Sequence, residues 1–191
     1  MTRAVALVLL AFLIAIGGGA GTLYLALERP IADPGRGWLP YPGNGSSDAD
    51  PYQRAQIALR GILPLGRSEG LAFIARHDAT GASFKANCSY VLEGPMPVAR
   101  FWTLFAANTD LRPLAPKGAR PAAIHSLQTL HSEDGSVSVN IGRAAQSGNW
   151  LSTGDAESWT LVLTLYDTPT AGGLALGTVS LPTIRRSACD G

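Results

Sequence analysis

The sequence predicts a mainly β protein: an antiparallel β-sandwich or jelly-roll-like domain with one short N-terminal helix, preceded by a single transmembrane helix. Three observations predict it. Trp159–Tyr166 alternates with period two, placing Trp159, Leu161, Leu163 and Leu165 on one face and Thr160, Val162, Thr164 and Tyr166 on the other. About seven strand-like segments follow one another with Gly- and Pro-rich turns between them, the pattern of a sandwich or jelly roll. Ala4–Leu27 runs for 24 residues without a charge, enough at about 1.5 Å per residue to reach roughly 36 Å, the span of a bilayer with some tilt.

The expected organisation is therefore an anchor or signal segment over 1–27, a linker over 28–50 and the sandwich domain over 51–191. A cleaved signal peptide would use Ala4–Ile16 as its apolar region and be cut near Gly18-Gly19-Ala20-Gly21. The run continues through Thr22–Leu27, which a signal peptide has no use for, so the retained anchor is the preferred reading. A buried core helix fits poorly, because the run has no polar face. Arg3 and the amino terminus precede the run, whereas Glu28 and Arg29 after it offset each other. The positive-inside rule then puts the N-terminus in the cytoplasm and the rest across the membrane.

Residues 28–50 hold Pro30, Pro34, Pro40 and Pro42 among four glycines and Ser46-Ser47, a composition that excludes a helix or a central strand. Trp38 and Tyr41 are its anchors, expected to pack on the domain surface. Asp50 can cap a helix that starts at Pro51, whose apolar face would carry Tyr52, Ala55, Leu59 and Ile62 and which Gly61 would end. The expected helix is 51–60. Expected strands follow at Leu71–Arg76, at Phe84–Glu93 with Phe84, Ala86, Cys88, Tyr90 and Leu92 on one side, and at Ala99–Ala106, which is apolar on both faces as a central strand would be. Asn108–Pro121 reads as a loop. Ile124–Ser132 and Ser136–Ile141 flank Asp134-Gly135, a strong hairpin signal. A two-residue turn there pairs Leu130 with Val139 and puts Leu130, Val137, Val139 and Ile141 on the core face. Gly148–Leu151 reads as a turn-rich loop, and Thr178–Arg186, interrupted by Pro182, as an edge strand.

At this point the residues carry a resemblance. Asp50-Pro-Tyr52, Leu63-Pro-Leu-Gly66, Arg100-Phe-Trp-Thr103, Gly148-Asn-Trp-Leu151 and Leu165-Tyr-Asp-Thr-Pro169 resemble the bacterial domain of unknown function 1214, from about Asp50 to the end. That family includes short forms with an N-terminal apolar segment, and it forms the C-terminal half of longer proteins that begin with domain of unknown function 1254. The resemblance implies an all-β domain in the bacterial envelope: anchored in the inner membrane with the C-terminal domain in the periplasm, or secreted there if the leader is cleaved. It transfers no catalytic residue.

Gly66-Arg-Ser-Glu-Gly70 matches the nucleophile elbow, but a helix precedes Ser68 and a strand follows, the reverse of what an elbow needs. His125 and His131 are six residues apart, roughly 20 Å along a strand, too far to share a metal, and His77 sits beside a turn. Glu69, Asp78, Asp110, Glu133 and Asp167 lie beside turns with no spacing that pairs them. Catalytic and metal residues are therefore none, and no cofactor is expected. Nucleic acid is excluded as a partner: net charge is +1 and no basic cluster exceeds Arg185-Arg186. Arg outnumbers Lys 13 to 2, which reads as genome composition. Trp102 and Trp159 are expected in the core, while Asn149 and Trp150 form the candidate contact for a ligand or partner. Cys88 and Cys189, the only cysteines, are both beyond the anchor and are expected to form a disulfide. The loop it closes, about 100 residues, would contribute up to roughly 4–5 kcal/mol in the chain-entropy model. These readings expect a non-catalytic, membrane-tethered module that binds an envelope protein or a small ligand. The alternative is an envelope hydrolase acting on sugar or lipid through a loop-built site.

Overall fold

The structure is a computed structural model that describes residues 2–28, 37–41, 51–61, 65–66, 68–115, 123–169 and 179–190. Helix α1 (Thr2–Glu28) carries the apolar run. Its Arg3–Leu25 stretch is long and apolar enough to cross a membrane, and none of it is buried, which suits a membrane anchor or a signal sequence. Thr22 satisfies its hydroxyl on the carbonyl of Gly19 at 2.9 Å, so this polar group amid the apolar run has a partner within the helix. Helix α2 (Pro51–Arg60) has the expected bounds. Gly61 ends it at φ 62°, a left-handed conformation that a side chain would strain. Its expected cap, Asp50, and Ile62 of its apolar face lie outside the described residues. Leu59 of that face is exposed rather than packed.

The rest is a β-sandwich. One sheet runs β1 (Trp38–Pro40), β2 (Gly70–Ala75), β8 (Thr160–Tyr166), β4 (Phe101–Ala107) and β5 (Ala123–His125), in that spatial order and antiparallel throughout. The other runs β7 (Asn149–Ser152), β6 (Val137–Gly142), β3 (Cys88–Gly94) and β9 (Thr183–Cys189). It is mixed, because β6 and β7 pair in parallel. Leu71, Phe73, Trp102, Leu104, Leu161, Leu163 and Leu165 of the first sheet meet Tyr90, Leu92, Val139, Ile141, Leu151 and Ile184 of the second in one buried core. The period-two faces read from the sequence are the observed inner faces. β8 is buried on its other face too, where Val162 joins Leu39, Ile74 and Ala107 beneath Tyr41, Phe105 and Leu111.

Four expectations change. Trp38–Pro40, inside the expected linker, pairs with β2 as an edge strand, and Trp38 donates its indole N–H to the Pro182 carbonyl at 2.7 Å. Pro40 is tolerated because an edge strand leaves one side unpaired. The strand expected from Phe84 begins at Cys88; Phe84 still enters the core from the preceding loop, stacked on Trp159 at 4.3 Å. The turn at Asp134-Gly135 is present, with Gly135 at φ 77°, but it encloses three residues: Ser132 pairs with Ser136 and His131 with Val137. That shifts the register by one residue, and a one-residue shift turns every side chain over. Leu130 is accordingly 66% exposed instead of in the core. Finally, Gly148–Leu151 is no loop: residues 149–152 form β7.

The loop between β2 and β3 is held by a buried carboxylate. Asp78 is 1% exposed. Its Oδ1 accepts from the Thr80 hydroxyl at 2.6 Å, the Thr80 N–H at 3.0 Å and the Ala82 N–H at 3.1 Å. Oδ2 meets Arg186 of β9 at 3.0 Å, and that guanidinium lies over the Tyr90 ring. Burial alone would raise the Asp78 carboxyl, but the hydrogen bonds and Arg186 together outweigh it and hold the group below its ordinary value of 3.8. Because the folded value is depressed, this stabilisation is complete above the unfolded value and is lost as pH falls through the folded one. Asp78→Asn should destabilise the protein at neutral pH by about 2 kcal/mol and remove this component of its acid sensitivity. Denaturant unfolding from neutral to acid pH checks it; parallel curves for the two proteins would contradict the assignment.

Candidate functional site

The first sheet ends at β5 and the second at β7, and the two edge strands lie on the same side of the sandwich. Between them the chain passes from one sheet to the other: after β5 come a short 3-10 turn (Ser126–Gln128), residues 129–131, the Asp134-Gly135 turn and then β6. Asn149, the first residue of β7, fastens this crossover. Its Oδ1 accepts the Leu130 N–H at 2.7 Å, and its Nδ2 donates to the carbonyls of Leu130 at 2.8 Å and Ser138 at 2.9 Å. The amide thus pairs with Leu130 as a neighbouring strand would, and Leu130 points outward at the rim. Gly148, at φ 76°, supplies the turn that starts the strand there. Trp150 is half-buried and donates its indole N–H to the Gly142 carbonyl at 3.1 Å, while Leu151 beside it is fully buried.

Two recesses flank this latch. One, about 310 Å³, is lined by Ala123, Ile124, Gln128, Thr129, Leu130, Gly148, Asn149 and Trp150. The other, about 220 Å³, lies against His131, Ser132, Ser138, Asn140 and Ser147 and shares Leu130, Gly148 and Asn149 with the first. Among the described residues, neither lining contains Lys, Arg, Asp or Glu. His131 is its one titratable side chain, and it is exposed. Thr129 turns its hydroxyl back to the His125 carbonyl, and Asn140 gives its amide to the Ser147 carbonyl. The hydroxyls of Ser132, Ser138 and Ser147 and the amide of Gln128 make no hydrogen bond to a described residue.

The sequence-predicted contact residues, Asn149 and Trp150, therefore both line a recess, but from a strand. Asn149 commits its amide to the Leu130 backbone and the Ser138 carbonyl, so it builds the wall; Trp150 has its N–H committed and offers its ring. Gln128, Thr129 and Leu130 had no sequence signal, because only the crossover between sheets brings them to Trp150. The other candidates disperse. Ser68 is exposed in a turn closed by Glu69 N–H to the Gly66 carbonyl at 2.8 Å, and β2 follows it, so the nucleophile-elbow context is absent. His125 packs its ring 5.5 Å from Phe101. Among the described residues no group of three His, Cys, Asp or Glu has the arrangement of a metal site. Cys88 and Cys189 face each other in the β3–β9 ladder with Cα atoms 3.9 Å apart, at disulfide distance as expected from the sequence. Cys189 ends β9 rather than following it. The pair sits at the opposite edge of its sheet from β7 and favours an oxidising compartment.

Fold and site together define a two-sheet β-sandwich domain with an edge cleft, behind an apolar helix suited to a membrane. The chain belongs to the family described as protein of unknown function (DUF1214), whose model matches residues 69–170 and so takes in β2 to β8 and the whole cleft. No match was found among curated proteins. Two solved structures are similar. The VPA0106 protein from Vibrio parahaemolyticus is 17% identical, with a TM-score of 0.59, over 74% of this chain and 36% of that one. An uncharacterised protein from Burkholderia cenocepacia is 18% identical, with a TM-score of 0.43, over 63% and 30%. The first likeness shows the fold; the second carries no argument. The chain spans about a third of the length of these proteins.

Asn149→Ala should cost about 1–3 kcal/mol, since it strands the Leu130 backbone groups at the cleft wall, and should speed amide hydrogen exchange at Leu130. An unchanged exchange rate there would refute the latch.

Proposed function

We propose that the chain is a membrane-tethered module of the bacterial envelope that binds a partner or a small ligand at the Asn149–Trp150 edge, without catalysing a reaction. Its place would be the inner membrane, with the sandwich in the periplasm. The observation that carries the reading is the pair of adjoining recesses, whose described lining residues include no Lys, Arg, Asp or Glu, built around one latch with an aromatic ring in the wall. Such a site has a shape and an apolar surface to offer and no acid–base pair in its lining. The apolar helix supports the tether, and the Cys88–Cys189 pair supports an oxidising compartment.

A photo-cross-linking residue placed at the exposed Ser147 in cells should give a discrete adduct, while the same residue at the exposed Ser187 of the far edge should give none. Equal adducts at both positions, or none at Ser147 together with no small-molecule response at Trp150, would sink the reading. For the tether, N-terminal sequencing of the protein from its membrane fraction should find residues 1–3 at the start; a mature start near Ala20–Thr22 would refute it.

A further inference from the structure

The chemistry of the cleft is narrower than its shape. Among the described residues, the lining of both recesses holds no Lys, Arg, Asp or Glu, so a phosphate, a carboxylate or an ammonium group would meet no counter-charge from them. A purely apolar ligand would instead cover hydroxyls and amides and leave them without water or partner. The unengaged groups are Ser132, Ser138 and Ser147 hydroxyls and the Gln128 amide, each able both to donate and to accept. They share one cleft with the half-buried Trp150 ring and with Ile124 and Leu130. Neutral groups of dual donor–acceptor character beside an aromatic face match a molecule that carries hydroxyls on its rim and C–H bonds on its face. The aromatic ring is already fixed by its indole N–H on Gly142, so little side-chain freedom would be lost on contact.

The geometry points to a binding site for a neutral saccharide of at least two sugar residues, one ring in each recess, spanning the Leu130–Asn149 latch. This rests on the reading of that edge as the contact surface and names its ligand class. The division suits an oligomer: the larger recess, about 310 Å³, is at the small end of ligand sites, which run from about 300 Å³ upward, and its neighbour continues the same wall. The larger recess takes the apolar face of one ring on Trp150, Ile124 and Leu130. The smaller one takes the hydroxyls of the next on Ser132, Ser138 and Ser147.

The full chain, labelled with fluorotryptophan and held in a lipid nanodisc, tests this without sugar-based detergent. Maltotriose, cellotriose and tri-N-acetylchitotriose are the neutral probes, and a hyaluronan tetrasaccharide is the acidic one. At least one neutral trisaccharide should shift the Trp150 resonance, assigned through Trp150→Phe, saturably and with little dependence on salt, leaving Trp102 and Trp159 unmoved. Ser138→Arg and Gln128→Ala, both at exposed positions, should each weaken that response by about tenfold or more while the melting temperature holds. No response to any neutral probe, a response to the acidic probe alone, or a response that both variants leave intact would overturn the proposal. A protein adduct at Ser147 that Ser138→Arg abolishes, with no saccharide response, would also overturn it while leaving the edge standing as a contact surface. If the adduct at Ser147 fails as well, both readings fall together.

Discussion

The whole sandwich depends on burying one strand on both faces and both edges. β8 (Thr160–Tyr166) lies between β2 and β4 with its backbone paired to each, its Leu161, Leu163 and Leu165 facing the second sheet and Val162 and Thr164 buried on the other side. A strand in that position has no unpaired backbone and no wet face, so everything around it must supply cover. The second sheet covers one side. Leu39 of β1, with Tyr41, Phe105 and Leu111, covers the other. Leu111 takes φ 62° in doing so, an uncommon conformation for a leucine. The Asn108 side chain accepts the N–H groups of Asp110 and Arg112 on either side of it and so holds that turn.

The sandwich then has two open sides, and they are closed differently. On one, Trp38 of β1 reaches the carbonyl of Pro182 just before β9, while the Cys88–Cys189 pair and the Asp78–Arg186 pair hold β9 to the body. On the other, a single asparagine carries the closure by binding the backbone of the crossover strand. One amide, binding a crossover that bulges around it, leaves a recess on each side. The cleft is thus a consequence of how the chain changes sheets.

The segments that most resemble the family are corners of this architecture. In Leu165-Tyr-Asp-Thr-Pro169, Asp167 takes φ 48° and donates its N–H to the Glu69 carbonyl, while Thr168 is buried with its hydroxyl on the Val98 carbonyl. In Gly148-Asn-Trp-Leu151, the glycine turns, the asparagine latches, the tryptophan caps Gly142 and the leucine fills the core. A motif of this kind reports a fold first. At the second of them the latch also forms the wall of the cleft.

Local pattern decided a good deal by itself. The apolar run of α1, the bounds of α2 with its stop at Gly61, the inner faces of β3, β6 and β8, and the Cys88–Cys189 pairing all follow from periodicity, turn chemistry or cysteine count. These are properties of a few adjacent residues or of a pair with no alternative. Asn149 and Trp150 were legible as a polar–aromatic pair, but not as a strand. The tertiary structure decided the rest. Whether Ile124–Ser132 turns back on Ser136–Ile141 as a hairpin or crosses to another sheet depends on which neighbour offers the larger buried face, and β4 wins β5 while β3 wins β6. The same competition set the one-residue register shift that exposed Leu130, gave β7 a parallel partner, and brought Asp78 to Arg186 across 108 positions. Each of these is a contest between distant segments for the same backbone and the same core, and no local stretch of sequence contains both contestants.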